Sequence, residues 1–103
     1  MDYASIAQEI ARQIGPQAFF LLGTTQRHID GPGLVFNVRG SKTCTKIRVR
    51  LDPDDTYTVT FFKIGRPPSF KITSREFTGI YADMLHDLIK SHTGLYVTFS
   101  PRS

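Results

Sequence analysis

Three cations, Lys46, Arg48 and Arg50, occupy every second position of the run Lys46-Ile47-Arg48-Val49-Arg50-Leu51. Successive side chains of a β-strand point to opposite faces. The spacing therefore predicts one row of cations about 6.8 Å apart, with Ile47, Val49 and Leu51 on the other side. A cationic row of this pitch suits phosphate oxygens, which it neutralises and hydrogen-bonds. The same alternation in neighbouring segments adds Asn37, Arg39, Thr58, Thr60, Phe62, Lys71 and Thr73 to the cationic face, a set without an acid. Phe62 offers a surface on which a base can stack. The candidate nucleic-acid-binding residues are thus Arg39, Lys46, Arg48, Arg50, Phe62 and Lys71. Four to six phosphate contacts imply a log–log salt slope of roughly −4 to −5 on duplex DNA.

The row has other uses. Lys and Arg on exposed strands suppress edge-to-edge aggregation. A positive face also fits an acidic protein, or a second copy docking through an open sheet to give a homodimer. Charge is unevenly spread along the chain: Val35 to Arg75 holds nine Lys/Arg against three Asp, a net +6, and the remainder is net −2. The acidic remainder supplies an alternative protein-facing set on the predicted helices, Glu9, Asp83 and Asp87.

Other chemistries fail on spacing. Asp52-Pro53-Asp54-Asp55-Thr56 begins like a calcium loop, but Tyr57 stands where that loop needs Gly and Lys63 where it needs a bidentate Glu. Gly40-Ser41-Lys42-Thr43 resembles the end of a phosphate-binding loop, yet Ser41 and Val35 replace its two required glycines. His86 and His92 are six residues apart, about 240° around a helix, and do not share a face. With His28 and Cys44 they make no zinc spacing. His92 in a last helical turn favours the helix dipole when protonated. Asp83 and Asp87 read as the solvated side of an amphipathic helix, and no nucleophile elbow occurs. The expectation is a protein without catalytic residues, metal or cofactor.

The elements that position these residues follow from periodicity. Residues 2–14 read as a helix, with Tyr3, Ile6, Ala7, Ile10, Ala11 and Ile14 on one stripe, Asp2 as N-cap and Gly15-Pro16 as the stop. Ala18 to Leu22 is an apolar strand candidate, and Thr24 to Gly33 reads as a loop. Leu34, Phe36 and Val38 alternate into a strand, and Gly40 to Thr43 turns the chain into the cationic strand. After the turn Asp52–Asp55, Tyr57, Val59 and Phe61 alternate. A fifth strand is placed at Ser69 to Thr73, with Phe70 and Ile72 inward and Lys71 and Thr73 outward. A second helix is placed from about Gly79 to His92, with Ile80, Tyr81, Met84, Leu85, Leu88 and Ile89 on its apolar face, Thr78 as N-cap and Gly94 as C′ glycine. Leu95 to Phe99 forms a short last strand or an extended tail.

Short connections favour antiparallel neighbours. The expected architecture is α+β: a five-stranded antiparallel meander with N- and C-terminal helices packed on one face. With 103 residues the expectation is one domain, 1–103, burying roughly two-thirds of its unfolded surface. A single cysteine excludes an internal disulfide and fits a reducing compartment. No apolar run is long enough for a transmembrane helix and the opening lacks the pattern of a secretory signal, so the expected location is cytoplasmic.

Three segments together, LDPDDTYTVTFFKI, GIYADMLHDLIKSHTGLY and the opening IAQEIARQIG, resemble a family of small proteins of unknown function from phages, prophages and other mobile elements. The resemblance runs from about Ile6 to Tyr96, and the terminal segment is its most specific part. It implies a bacterial host cytoplasm and one of two roles found among small phage proteins. The first is nucleic-acid binding in replication or packaging. The second is inhibition of a host defence complex, in the manner of anti-CRISPR proteins, which would place the working surface at Glu9, Asp83 and Asp87. No residue roles follow from the family itself.

Overall fold

The computed structural model describes residues 2–39, 44–65, 68 and 71–93. Helix α1 (Tyr3–Ile14) and helix α2 (Pro16–Leu22) lead into strands β1 (Thr25–Ile29), β2 (Gly33–Asn37), β3 (Lys46–Leu51), β4 (Tyr57–Ile64) and β5 (Ile72–Ile80); a 3₁₀ turn at Ala82–Met84 and helix α3 (Leu85–Thr93) follow. The strands form one antiparallel sheet in chain order, β1-β2-β3-β4-β5. The α+β meander expected from the sequence is thus the fold, although two of its five strands lie elsewhere than expected.

Helix α1 forms because its apolar residues recur on one stripe, and Ile6, Ala7, Ile10 and Ile14 are buried. Asp2 caps it, accepting a 2.7 Å hydrogen bond from the Ser5 N–H. Gly15, at φ 93°, breaks the helix and returns its N–H to the Ala11 carbonyl. Alternate residues Leu34, Phe36, Ile47, Val49, Tyr57, Val59 and Phe61 of the sheet then meet Ile10, Leu22, Leu85 and Ile89 of the helices in one core. Phe19 packs edge-on to Phe36 at 5.2 Å. All three helices therefore lie on one side of the sheet.

Ala18 to Leu22 is helix, not strand. Pro16 sits at the first helical position, where its fixed φ is pre-organised and its missing N–H costs nothing. Gly23 closes the helix in the left-handed conformation, with its N–H on the Phe19 and Phe20 carbonyls. Ala18, Phe19 and Leu22 are buried and Phe20 is exposed, a one-sided burial that a run of five apolar residues conceals.

The segment read as a loop contains β1. Four of its five residues are exposed, as befits an edge strand paired on one side only. A register shift between Thr25 and His28, with Gln26 at φ 54°, breaks the alternation that would have revealed it.

The fifth strand is longer and of opposite parity to the reading. Ile64 pairs with Ile72, Phe62 with Ser74, Thr60 with Glu76 and Val59 with Phe77. Ile72 therefore lies on the face away from the helices and is exposed, while Thr73 opposes Lys63 on the helix side. The strand continues through Thr78, Gly79 and Ile80, so Thr78 is not an N-cap. Gly79, at φ 66°, accommodates the register shift opposite Tyr57–Val59. Strand-forming Ile72, Thr73, Phe77, Thr78 and Ile80 outweigh the helical spacing that begins at Ile80. The α-helix starts only at Leu85, and Tyr81 and Met84, expected on its buried stripe, are exposed. Phe70, the turn at Gly40 to Thr43, Gly94 and the segment Leu95 to Phe99 lie outside the described residues.

Candidate nucleic-acid interface

The register of β2 to β5 sets three rows across the face away from the described helices: Asn37, Lys46, Phe62 and Ser74; Val35, Arg48, Thr60 and Glu76; and Gly33, Arg50 and Thr58. Lys46, Arg48, Arg50 and Phe62 are thus brought together as the sequence predicts. The Phe62 ring is bracketed by two cations, with the Lys46 Nζ at 5.8 Å and the Arg48 Cζ at 5.7 Å from its centroid. Exposed Ile64 and Ile72 continue the apolar surface from Phe62 towards the end of the β4–β5 hairpin.

Gly33 holds the second and third strands close. A Cβ there would stand 2.4 Å from the Val49 carbonyl oxygen, so only glycine permits this approach. Val35 is buried although it points away from the helices. Thr58 and Thr60 are buried as well. The Thr60 hydroxyl has no hydrogen-bond partner among the described residues. At the first row, the Asn37 side-chain N–H donates to the Gln26 side-chain oxygen at 2.7 Å.

The face is not free of acids. Glu76 opposes Thr60 in the middle row. Asp30 lies 4.0 Å from the Arg48 guanidinium and Asp52 lies 3.6 Å from that of Arg50. Asp52 also accepts a hydrogen bond from the Thr58 hydroxyl. Periodicity does not place Glu76 here, because residues 74–78 show neither a clear strand nor a clear helix pattern, and it does not place Asp30 and Asp52, which reach the sheet from turns.

Arg39 follows the end of β2 in the alternation of Asn37; it is exposed, and its backbone N–H donates to Leu22. Lys71 departs from the expected array. It precedes β5 in the hairpin, its carbonyl accepts from the Gly65 N–H at 2.7 Å, and the pairing of Thr73 with Lys63 puts its position on the helix-side alternation.

The alternative acidic set divides. Glu9 accepts from the Arg12 guanidinium at 2.6 and 3.0 Å and from the Gln13 side chain at 2.6 Å, and these bonds hold its carboxyl below the usual range. Asp83 is exposed in the 3₁₀ turn, and exposed Asp87 lies 3.7 Å from the His86 Nδ1. The turn acids are used structurally: Asp54 accepts from the Thr56 hydroxyl at 2.6 Å and its N–H at 3.1 Å, which lowers its pKa. Among the described residues no three His, Cys, Asp or Glu side chains converge as a metal site. No helix among the described residues is long and apolar enough to cross a membrane.

His92 has a different role from the one its helix position suggests. Its ring stacks on Phe61 at 4.0 Å and meets Phe77 edge-on at 5.6 Å. Burial, and then the nearby Arg75 charge, push its pKa below the ordinary value. It is therefore a neutral aromatic packing group near neutral pH.

The geometry defines a five-stranded antiparallel sheet whose face away from the described helices carries a cation-bracketed aromatic in the row that begins β3. Neither a family model, nor a curated protein, nor a solved structure matches the chain.

Proposed function

We propose that this chain is a non-enzymatic binding module that holds single-stranded nucleic acid on the face of its sheet away from the described helices. The observation that carries this reading is the Phe62 ring flanked by Lys46 and Arg48 on a face that no described helix covers. Such a trio supplies a stacking surface and phosphate counter-charges within one base step. A single strand fits better than a duplex, because the three carboxylates beside the cations reduce the phosphates the face can neutralise and because unpaired bases can reach the ring. Asn37 supplies a side-chain amide at the edge of the same row. The resemblance to small phage proteins gives this reading its setting, in which a module of this kind serves replication or packaging.

Anisotropy of labelled single-stranded DNA, RNA and duplex DNA at low and moderate salt tests the proposal. Single strands are expected to bind more tightly than duplex, and Lys46→Glu/Arg48→Glu is expected to abolish binding. Absence of binding to any of the three at low salt sinks the reading.

A further inference from the structure

Strand β1 adds side chains to the face that carries the Lys46–Phe62 row. Thr25 pairs with Asn37 and His28 with Val35, so Gln26 and Arg27 together stand opposite the single residue Phe36. Such a bulge re-aims the side chains within it. Arg27 turns to the helix side, its guanidinium 4.7 Å from the centre of the Phe19 ring. Gln26 turns the other way, and its side-chain oxygen accepts a 2.7 Å hydrogen bond from the Asn37 side-chain N–H. Its backbone carbonyl lies 3.1 Å from the His28 Nδ1. Gln26 makes these contacts at φ 54°, one of two non-glycine residues with positive φ among the described residues. Glycine takes this conformation without strain, so what glutamine supplies at this exposed position is its carboxamide.

We propose that Asn37, its carboxamide held by Gln26, reads the edge of a base stacked on Phe62, and that the base it selects is adenine. The inference rests on the sheet-face reading and adds a specificity to it. Asn37, Lys46 and Phe62 stand in one row, which sets Asn37 two strand spacings, about 9.6 Å, from Phe62. A purine lying on the ring with its long axis along the row brings its edge within hydrogen-bonding reach of Asn37. A carboxamide has one carbonyl oxygen and two N–H donors. The bond to Gln26 engages one N–H and keeps the amide from turning over, which fixes the positions of the oxygen and the second N–H. Adenine matches that pair, donating from N6 and accepting at N7. Guanine presents two acceptors on the same edge, N7 and O6, and thymine an acceptor and a methyl group. Cytosine presents its amino donor there and has the smaller ring to stack. Asn37 is thus the base-reading residue and Gln26 its positioning residue, while Lys46 and Arg48 meet the phosphates.

The test is an anisotropy titration of the full chain at low salt with four labelled pentanucleotides, each with two thymidines on either side of a central A, C, G or T. The wild type is expected to bind the adenine strand about tenfold more tightly than the thymine strand, the worth of one bidentate base contact. Asn37→Ala should remove that preference and leave the thymine strand bound. Gln26→Gly suits φ 54°, so it should keep or raise the urea midpoint while it lowers the preference for adenine. A purely structural Gln26 would change the midpoint and spare the preference. Equal binding of the four strands by the wild type, or selection of another base, overturns the proposal and leaves the sheet-face reading standing. An adenine preference that survives in both variants overturns it as well. Failure of the wild type to bind any strand is instead the failure of the sheet-face reading, and the inference falls with it.

Discussion

Phe62 and Thr60 face the same way on adjacent rows, yet they lead to opposite expectations. The half-buried Phe62 ring is the only aromatic that the cationic row flanks among the described residues, and base stacking on such a ring is worth about 1–3 kcal/mol. Phe62→Ala should therefore weaken single-strand binding roughly five- to a hundredfold, measured by anisotropy, with the fold retained by circular dichroism. Thr60 is buried with its hydroxyl unpartnered among the described residues. A buried hydroxyl without a partner costs about 1–3 kcal/mol. Thr60→Val should raise the unfolding free energy by about 1 kcal/mol, and a loss of stability in urea would show that the hydroxyl is satisfied in solution. The cation row was legible at this scale because alternation in Lys46–Leu51 needs only a strand. Its neutralising acids were not, since Asp30 and Asp52 come from turns that periodicity does not orient.

Two elements carry the fold's weakest and tightest points. Between β2 and β3, a Cβ at Gly33 would stand 2.4 Å from the Val49 carbonyl, which is main chain and cannot swing aside. Gly33→Ala should destabilise the protein by about 1–3 kcal/mol, the usual cost of overpacking, measured as a lowered urea midpoint at unchanged slope. Helix α3 is held partly by the neutral His92 ring on Phe61 and Phe77. A histidine with a folded pKa below its unfolded value near 6.5 takes up its proton more readily when unfolded. Its contribution is therefore present above pH 6.5 and lost as pH falls through that value towards the folded pKa. Unfolding free energy should drop between about pH 7.5 and 5.5, and His92→Phe, which keeps an aromatic on Phe61, should flatten that dependence. Element boundaries failed in the sequence where two signals competed. Ile80 to Ile89 has helical spacing, but the preceding residues are strand formers, and pairing with β4 wins as far as Ile80. Ala18 to Leu22 lacked any period, and only the flanking Pro16 and Gly23 mark it as helix. The helix α1 and the three central strands were readable because each shows its period without interruption.

Folding redistributes the charge that the linear sequence separates. The chain is net +4, with its cations concentrated between Val35 and Arg75. In space, Asp30 and Glu76, which lie outside that interval, are brought onto the cationic face with Asp52, so three acids stand beside Lys46, Arg48 and Arg50. Lys63 and Arg75, of the same interval, face the helix side of the sheet instead. The described cations of β3 to β5 are therefore divided between the two faces of the sheet. With three cations available, the log–log salt slope on single strands should be no steeper than about −2. A slope near −4 would mean that phosphates reach well beyond this row.

The most direct test of the sheet-face account is amide chemical-shift mapping with a short single-stranded oligonucleotide. Progressive shifts are expected at Lys46, Arg48, Thr60, Phe62 and Ser74 on the sheet, with the amides of α1 and α3 unmoved. Shifts confined to the helices, or to Lys63, Arg75 and His92, with the Lys46–Phe62 row silent, would contradict it.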